Sequence, residues 1–92
     1  MTRVLISIVK RDVYVEIENH AGDREVCGII SAYTNMLVAI CRENRIEPET
    51  YESGHVKIYI SDAHKSLVRV FIAAKKLFEA TAEAYPEHIK VY

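Results

Sequence analysis

NHAGDREVCG, residues 19–28, is the stretch at which the hydrophobic period of the chain changes. Before it, Val13, Val15 and Ile17 alternate with Tyr14, Glu16 and Glu18, a period of two that suits a strand with one wet face. After it, Val26, Ile29, Ile30, Tyr33, Met36, Leu37, Ile40 and Cys41 recur at intervals of three and four. That is the stripe of an amphipathic helix running to about Asn44 or Arg45. The quoted residues are therefore a strand-to-helix turn. Gly22 permits the chain reversal, and Asp23 and Glu25 bring negative charge to a helix start, where the backbone dipoles favour it.

Working outward, Val4 to Val9 is an apolar run broken only by Ser7, rich in Val, Leu and Ile, as a buried strand requires. Lys10 to Asp12 is a short polar link, so the first two segments read as a β-hairpin. On the other side, Ile46 to Gly54 contains Pro48 and Gly54 and reads as a loop. His55 to Ser61 alternates again, with Val56, Ile58 and Ile60 facing one way and Lys57 and Tyr59 the other. Ser61 or Asp62 offers an N-cap side chain to a second helix. Its stripe is Leu67, Val70, Phe71, Ala74, Leu77, Phe78 and Thr81. Tyr85-Pro86 ends it, because the residue before a proline avoids the helical region. His88 to Tyr92 reads as a short last strand. The expected fold is α+β, a small mostly antiparallel sheet with two helices in the order β-β-α-β-α-β, over residues 1–92 as one domain.

Bulk properties narrow the function classes. Half of the residues are hydrophobic, which gives a chain of 92 residues a small but real core. The net charge of -1 comes from 12 basic and 13 acidic residues without blocks of either sign, so no nucleic-acid or anionic-membrane surface is advertised. No apolar run approaches the roughly 18 residues of a membrane span. The N-terminus lacks a cleavage-site pattern, and a cytoplasmic protein is expected. Cys27 and Cys41 are then expected as reduced thiols. A small α+β chain of this kind commonly pairs with itself, and a homodimer is expected.

The turn carries the only constellation with nucleophilic chemistry. A cysteine reacts as its thiolate, which a helix N-terminus and a nearby imidazolium both favour. Cys27 opens the first helix and His20 ends the strand before it. At roughly 100° per residue, Cys27, Ser31 and Thr34 share one line of the helix with Asn35 close by, at the edge of the apolar stripe. Ser31 is one turn from Cys27, within reach of the thiolate or of His20. The plainer alternative is a buried structural cysteine beside a surface histidine. A zinc set of His20, Cys27, Cys41 and His64 lacks the paired spacing of such sites, and Cys41 lies on the apolar stripe. Lys65, Arg69, Lys75 and Lys76 read as a solvated helix face.

The wording of the turn also resembles the ribosomal-processing cysteine protease family Prp, or YsxB-like family. Its pattern is a strand ending in HAG, a loop, a VC that opens a helix, and a serine one turn on. Here these are His20-Ala21-Gly22, Val26-Cys27 and Ser31. Tyr85-Pro86-Glu87, followed by the apolar His88 to Val91 segment, is similar to the family's ending. The resemblance implies a cysteine endopeptidase that trims an N-terminal extension from a large-subunit ribosomal protein. It implies Cys27 as nucleophile, His20 as general base, Gly22 and Ser31 as supporting residues, backbone N–H groups of the first helical turn as an oxyanion site, and no metal or organic cofactor. The family's loop between histidine and cysteine is longer and is expected to cover the substrate, whereas here only Ala21 to Val26 intervene. A second reading follows from that departure: a non-catalytic binding module that grips a ribosomal protein or assembly factor on the same fold.

Overall fold

The computed structural model describes all residues, 1–92. Strands β1 (Thr2–Val9) and β2 (Asp12–Glu18) form the first hairpin, and Lys10 turns it with a φ of 57°. Helix α1 (Arg24–Glu43) follows. Strands β3 (Thr50–Glu52) and β4 (His55–Ile60) form a second hairpin, then come helix α2 (Lys65–Ala84) and β5 (Ile89–Val91). The five strands make one sheet in the order β3-β4-β2-β1-β5. All neighbours are antiparallel except β1 and β5, which run parallel. The expected class and sheet are therefore present, with β3 as an added strand inside the segment read as a loop. Three residues are too few to display a period of two, and Pro48 and Gly54 frame them closely.

Alternation along the strands sorts the sheet into two unlike faces. Val4 and Ile6, Val13, Val15 and Ile17, Val56, Ile58 and Ile60, and Ile89 are all buried in one cluster. Into the same cluster α1 sends Val26, Ile30, Leu37, Val38 and Cys41, and α2 sends Leu67, Phe71, Ala74 and Phe78. Both helices therefore lie on one face of the sheet. The burial of these side chains is the main stabilising contribution, about 1.5–3 kcal/mol for each large one before the entropy of ordering it is subtracted. The opposite face carries the register pairs Tyr14 and Tyr59, Glu16 and Lys57, and Glu18 and His55, none of them buried.

The helix ends differ in how well their caps follow the sequence. Asp23 is the N-cap of α1, its carboxylate accepting from the Val26 N–H at 3.0 Å. The N-cap of α2 is His64, whose Nδ1 accepts from the Ser66 N–H, and not Ser61 or Asp62. Asp62 is drawn away because its carboxylate pairs with Arg11 at 2.6 Å and its N–H donates to Asp12. Both stripes are also rotated a little from the expected ones: Met36 and Leu77 are exposed, and Val38 and Thr34 are buried in α1.

Candidate active site

β2 and α1 are joined only by residues 19–23, so the end of the strand and the start of the helix are held side by side. Asn19 takes a φ of 70° as it leaves the strand, and Gly22 one of 79° as the chain reverses. Asn19 is pinned twice: its carbonyl accepts from the buried Thr2 hydroxyl at 3.0 Å, and its N–H donates to the Gly54 carbonyl at 2.8 Å. His20 thus stands exposed at the end of β2, while Ala21 behind it is buried.

Cys27 sits one turn into α1, half-buried. Its own N–H bonds the Asp23 carbonyl at 2.9 Å, the first ordinary bond of the helix. Its Sγ accepts the N–H of Ala21 at 3.3 Å. That bond ties the sulfur to the chain just past the end of β2. The same Ala21 is held from its other side, since its carbonyl lies 3.0 Å from Nδ1 of His88, just before β5.

One cleft of about 130 Å³ gathers these groups. From α1 it is lined by Cys27, Ser31, Thr34 and Asn35, the helical line expected from spacing, and also by Ile30 of the apolar stripe. Asn19 and His20 enter it from the end of β2, and Tyr51, Ser53, Gly54 and His55 from the second hairpin. His20, Cys27 and Ser31 therefore share a wall-to-wall space. Gly22 does not line it and lies in the turn that leads into α1. Cys41 and His64 lie elsewhere, Cys41 fully buried in the core with its thiol pushed up to about 11 by that burial. Cys41 is thus inert at ordinary pH, and both cysteines are free thiols.

The second hairpin is the part of the cleft that the sequence reading missed. The Tyr51 hydroxyl donates to Oδ1 of Asn35, and the Arg42 guanidinium lies 5.3 Å from the centre of the Tyr51 ring. Both contacts brace β3 against α1, and Tyr51 and Asn35 line the cleft where they meet. Ser53 Oγ lies 3.5 Å from His20 Nε2. The first-turn amides expected as oxyanion donors are partly spoken for: Val26 and Cys27 donate to Asp23, which leaves those of Arg24 and Glu25.

On the open face of the sheet, Glu16, Glu18 and His55 bring polar atoms within 4.8 Å of one another. The Glu16 carboxylate is already engaged by His55 Nε2 at 3.2 Å and by Lys57 Nζ at 3.9 Å. An ammonium inside the group opposes a cation, so the cluster is read as an ion-paired network of β2 and β4.

No protein-family model matches the sequence, and no curated protein matches it. Solved structures do match. The essential ribosomal processing protease Prp from S. aureus, in complex with a covalently linked product peptide, aligns with a TM-score of 0.81 at 22% identity, covering 99% of this chain and 97% of that one. SMU.848 from Streptococcus mutans aligns with a TM-score of 0.77, also at 22% identity, covering 99% of this chain and 91% of that one. The arrangement of two helices on one face of a five-stranded sheet is thus the fold of Prp, over essentially its whole length.

Proposed function

We propose that this chain, built on the Prp fold, is a cysteine endopeptidase that removes an N-terminal extension from a large-subunit ribosomal protein. The observation that carries this reading is the meeting of His20, Cys27 and Ser31 in one cleft, with the Ala21 N–H donating to Cys27 Sγ. The likeness to Prp supports it, since the S. aureus protein holds a product peptide covalently.

The steps draw on residues of that cleft and on the backbone at the start of α1. His20 takes the proton of the Cys27 thiol, and the thiolate attacks the carbonyl carbon of the scissile bond. The negative charge that develops on the carbonyl oxygen is met by backbone donors at the start of α1, those of Arg24 and Glu25 being uncommitted. As the tetrahedral intermediate collapses, the C–N bond breaks and the imidazolium of His20 gives its proton to the leaving amine. The acyl group remains on Sγ as a thioester. Water, deprotonated by His20, attacks the thioester carbon, and the acid is released as Cys27 regains its thiol proton. Ser31, one turn along α1, supports the pair from the same wall, and no metal or organic cofactor is required. The reading places the protein in the cytoplasm as a homodimer, with no need for direct nucleic-acid contact. No helix of the structure is long and apolar enough to cross a membrane.

Purified protein incubated with N-terminally extended large-subunit ribosomal proteins, followed by intact-mass spectrometry, tests the proposal. Loss of one defined N-terminal segment is expected. Cys27→Ala is expected to abolish it, and His20→Ala to slow it by about 10²–10⁴-fold, the usual worth of a general base. A second reading is favoured by one observation: the connection between β2 and α1 is only residues 19–23, too short to fold over a bound peptide. On that reading the cleft binds a ribosomal protein or assembly factor without cutting it. Equal binding by wild type and Cys27→Ala, with no cleavage by either, would select it.

A further inference from the structure

We infer that the turn between β3 and β4, with Gly54 at its centre, is the positioning device that fixes the His20 imidazole in the cleft that Cys27 also lines. The inference rests on the reading of His20 as the partner of Cys27 and adds a residue to it. Gly54 adopts a φ of 78°, a conformation that side chains with a Cβ rarely take. It also lies close to the His20 ring. A Cβ built on Gly54 would lie 3.0 Å from His20 Nε2, 3.5 Å from Cδ2 and 3.6 Å from Cε1. The imidazole therefore crowds the place of a Cβ, and would have to give way by a few tenths of an ångström to admit one. Gly22 has nearly the same φ, 79°, yet a Cβ there meets nothing within 4 Å. The need for glycine at Gly22 is the backbone's alone, while at Gly54 it is also the histidine's.

The turn is tied to both ends of what it aligns. The Gly54 carbonyl accepts the N–H of Asn19, the residue before His20, at 2.8 Å. Ser53 Oγ is 3.5 Å from Nε2. Through Tyr51 the same hairpin is bonded to Asn35 on α1, the helix that carries Cys27. An exposed histidine side chain would otherwise sample several rotamers. Here its seat is referenced to the nucleophile's helix by a closed circuit of contacts.

The test substitutes Gly54→Asn and Gly54→Ala. Both add the Cβ, and Asn tolerates a positive φ better, so it keeps a folded variant within reach. Two quantities are read: the pH midpoint of Cys27 alkylation, for which the buried Cys41 needs no substitution, and the titration of the His20 ring by NMR. Val13→Ala, a core deletion at the far end of β2, controls for loss of stability. The expected result is that Gly54→Asn moves the alkylation midpoint at least half of the way to that of His20→Ala, shifts the His20 resonances, and that Val13→Ala does neither. Ser53→Ala is expected to give a smaller shift in the same sense. A Gly54→Asn protein with wild-type midpoint and wild-type His20 resonances overturns the inference, as does a Val13→Ala protein that moves both equally. Should His20→Ala leave the midpoint where it is in wild type, the pairing of His20 with Cys27 falls instead, and the ring titration still decides whether Gly54 seats the imidazole.

Discussion

Asp23 holds the turn of α1 on which Cys27 depends, and its replacement gives a clean measure of that dependence. The carboxylate accepts the Val26 N–H at 3.0 Å, and the Asp23 carbonyl accepts the Cys27 N–H at 2.9 Å. Asp23→Ala deletes the first bond and leaves the second at a frayed end. Loss of an N-cap costs about 1 kcal/mol, and loss of a negative charge at a helix N-terminus about 0.3–1 kcal/mol more. The expected total is therefore about 1.5 kcal/mol in urea unfolding at an unchanged slope. At about 4–8 °C for each kcal/mol in a domain of this size, the melting temperature should fall by roughly 6–12 °C. Asp23→Asn keeps an acceptor and loses the charge, so it should show only the smaller part. Cys27 should be alkylated faster in Asp23→Ala than in Asp23→Asn, because only the former unpins the turn. If Asp23→Asn is as destabilised as Asp23→Ala, the hydrogen bond is not what holds the helix start. If neither differs from wild type, the cap has no energetic role.

Three further outcomes are expected. The Cys41 thiol is pushed up to about 11 from 9.0 by burial, so the folded state keeps a proton that the unfolded state loses. Its contribution is complete below about pH 9 and is lost as pH rises toward 11, at a slope of at most about 1.4 kcal/mol per pH unit; Cys41→Ala should flatten the alkaline limb of stability against pH. The hydrogen bond from His55 holds the Glu16 carboxyl below its ordinary value, with Lys57 adding to the effect. That stabilisation is present above about pH 4.5 and fades as pH falls, so the gap between wild type and Glu16→Gln in urea midpoints should narrow on acidification; a constant gap would show that the ion pair is irrelevant. Tyr51→Phe removes the hydroxyl that bonds Asn35 at an exposed position, and should cost less than about 1 kcal/mol of stability while loosening hydrogen-exchange protection in β3.

Much of this architecture can be read from periodicity because each long element has one buried face. Val13, Val15 and Ile17 declare β2, and the switch to threes and fours at Val26 declares α1. The helical line from Cys27 through Ser31 to Asn35 likewise predicts one wall of the cleft. The opposite wall is silent in the sequence. Thr50–Glu52 is too short to show a pattern, and nothing local reveals that Tyr51 will meet Asn35 or that Gly54 will lie under His20. Those contacts arise only when β4 pairs with β2, which brings Gly54 to Asn19. His64 in place of Asp62 at the cap of α2 is a similar case, since Asp62 is claimed by Arg11 from the distant hairpin. His88 is the strongest example. Its neighbours mark it as the lead-in to a strand, and its contact with the Ala21 carbonyl spans 67 positions of sequence.

That contact also sets a timetable. Ala21 supplies the N–H on the sulfur of Cys27, and its carbonyl is met by a residue that arrives only when β5 docks beside β1. Pairings between such distant parts of a chain close late, because the loop between them must first be gathered in. Until β5 docks, the Ala21 carbonyl lacks the His88 contact that holds it. The setting of the Cys27 sulfur is thus tied, through the two sides of one residue, to the strand that lies at the edge of the sheet.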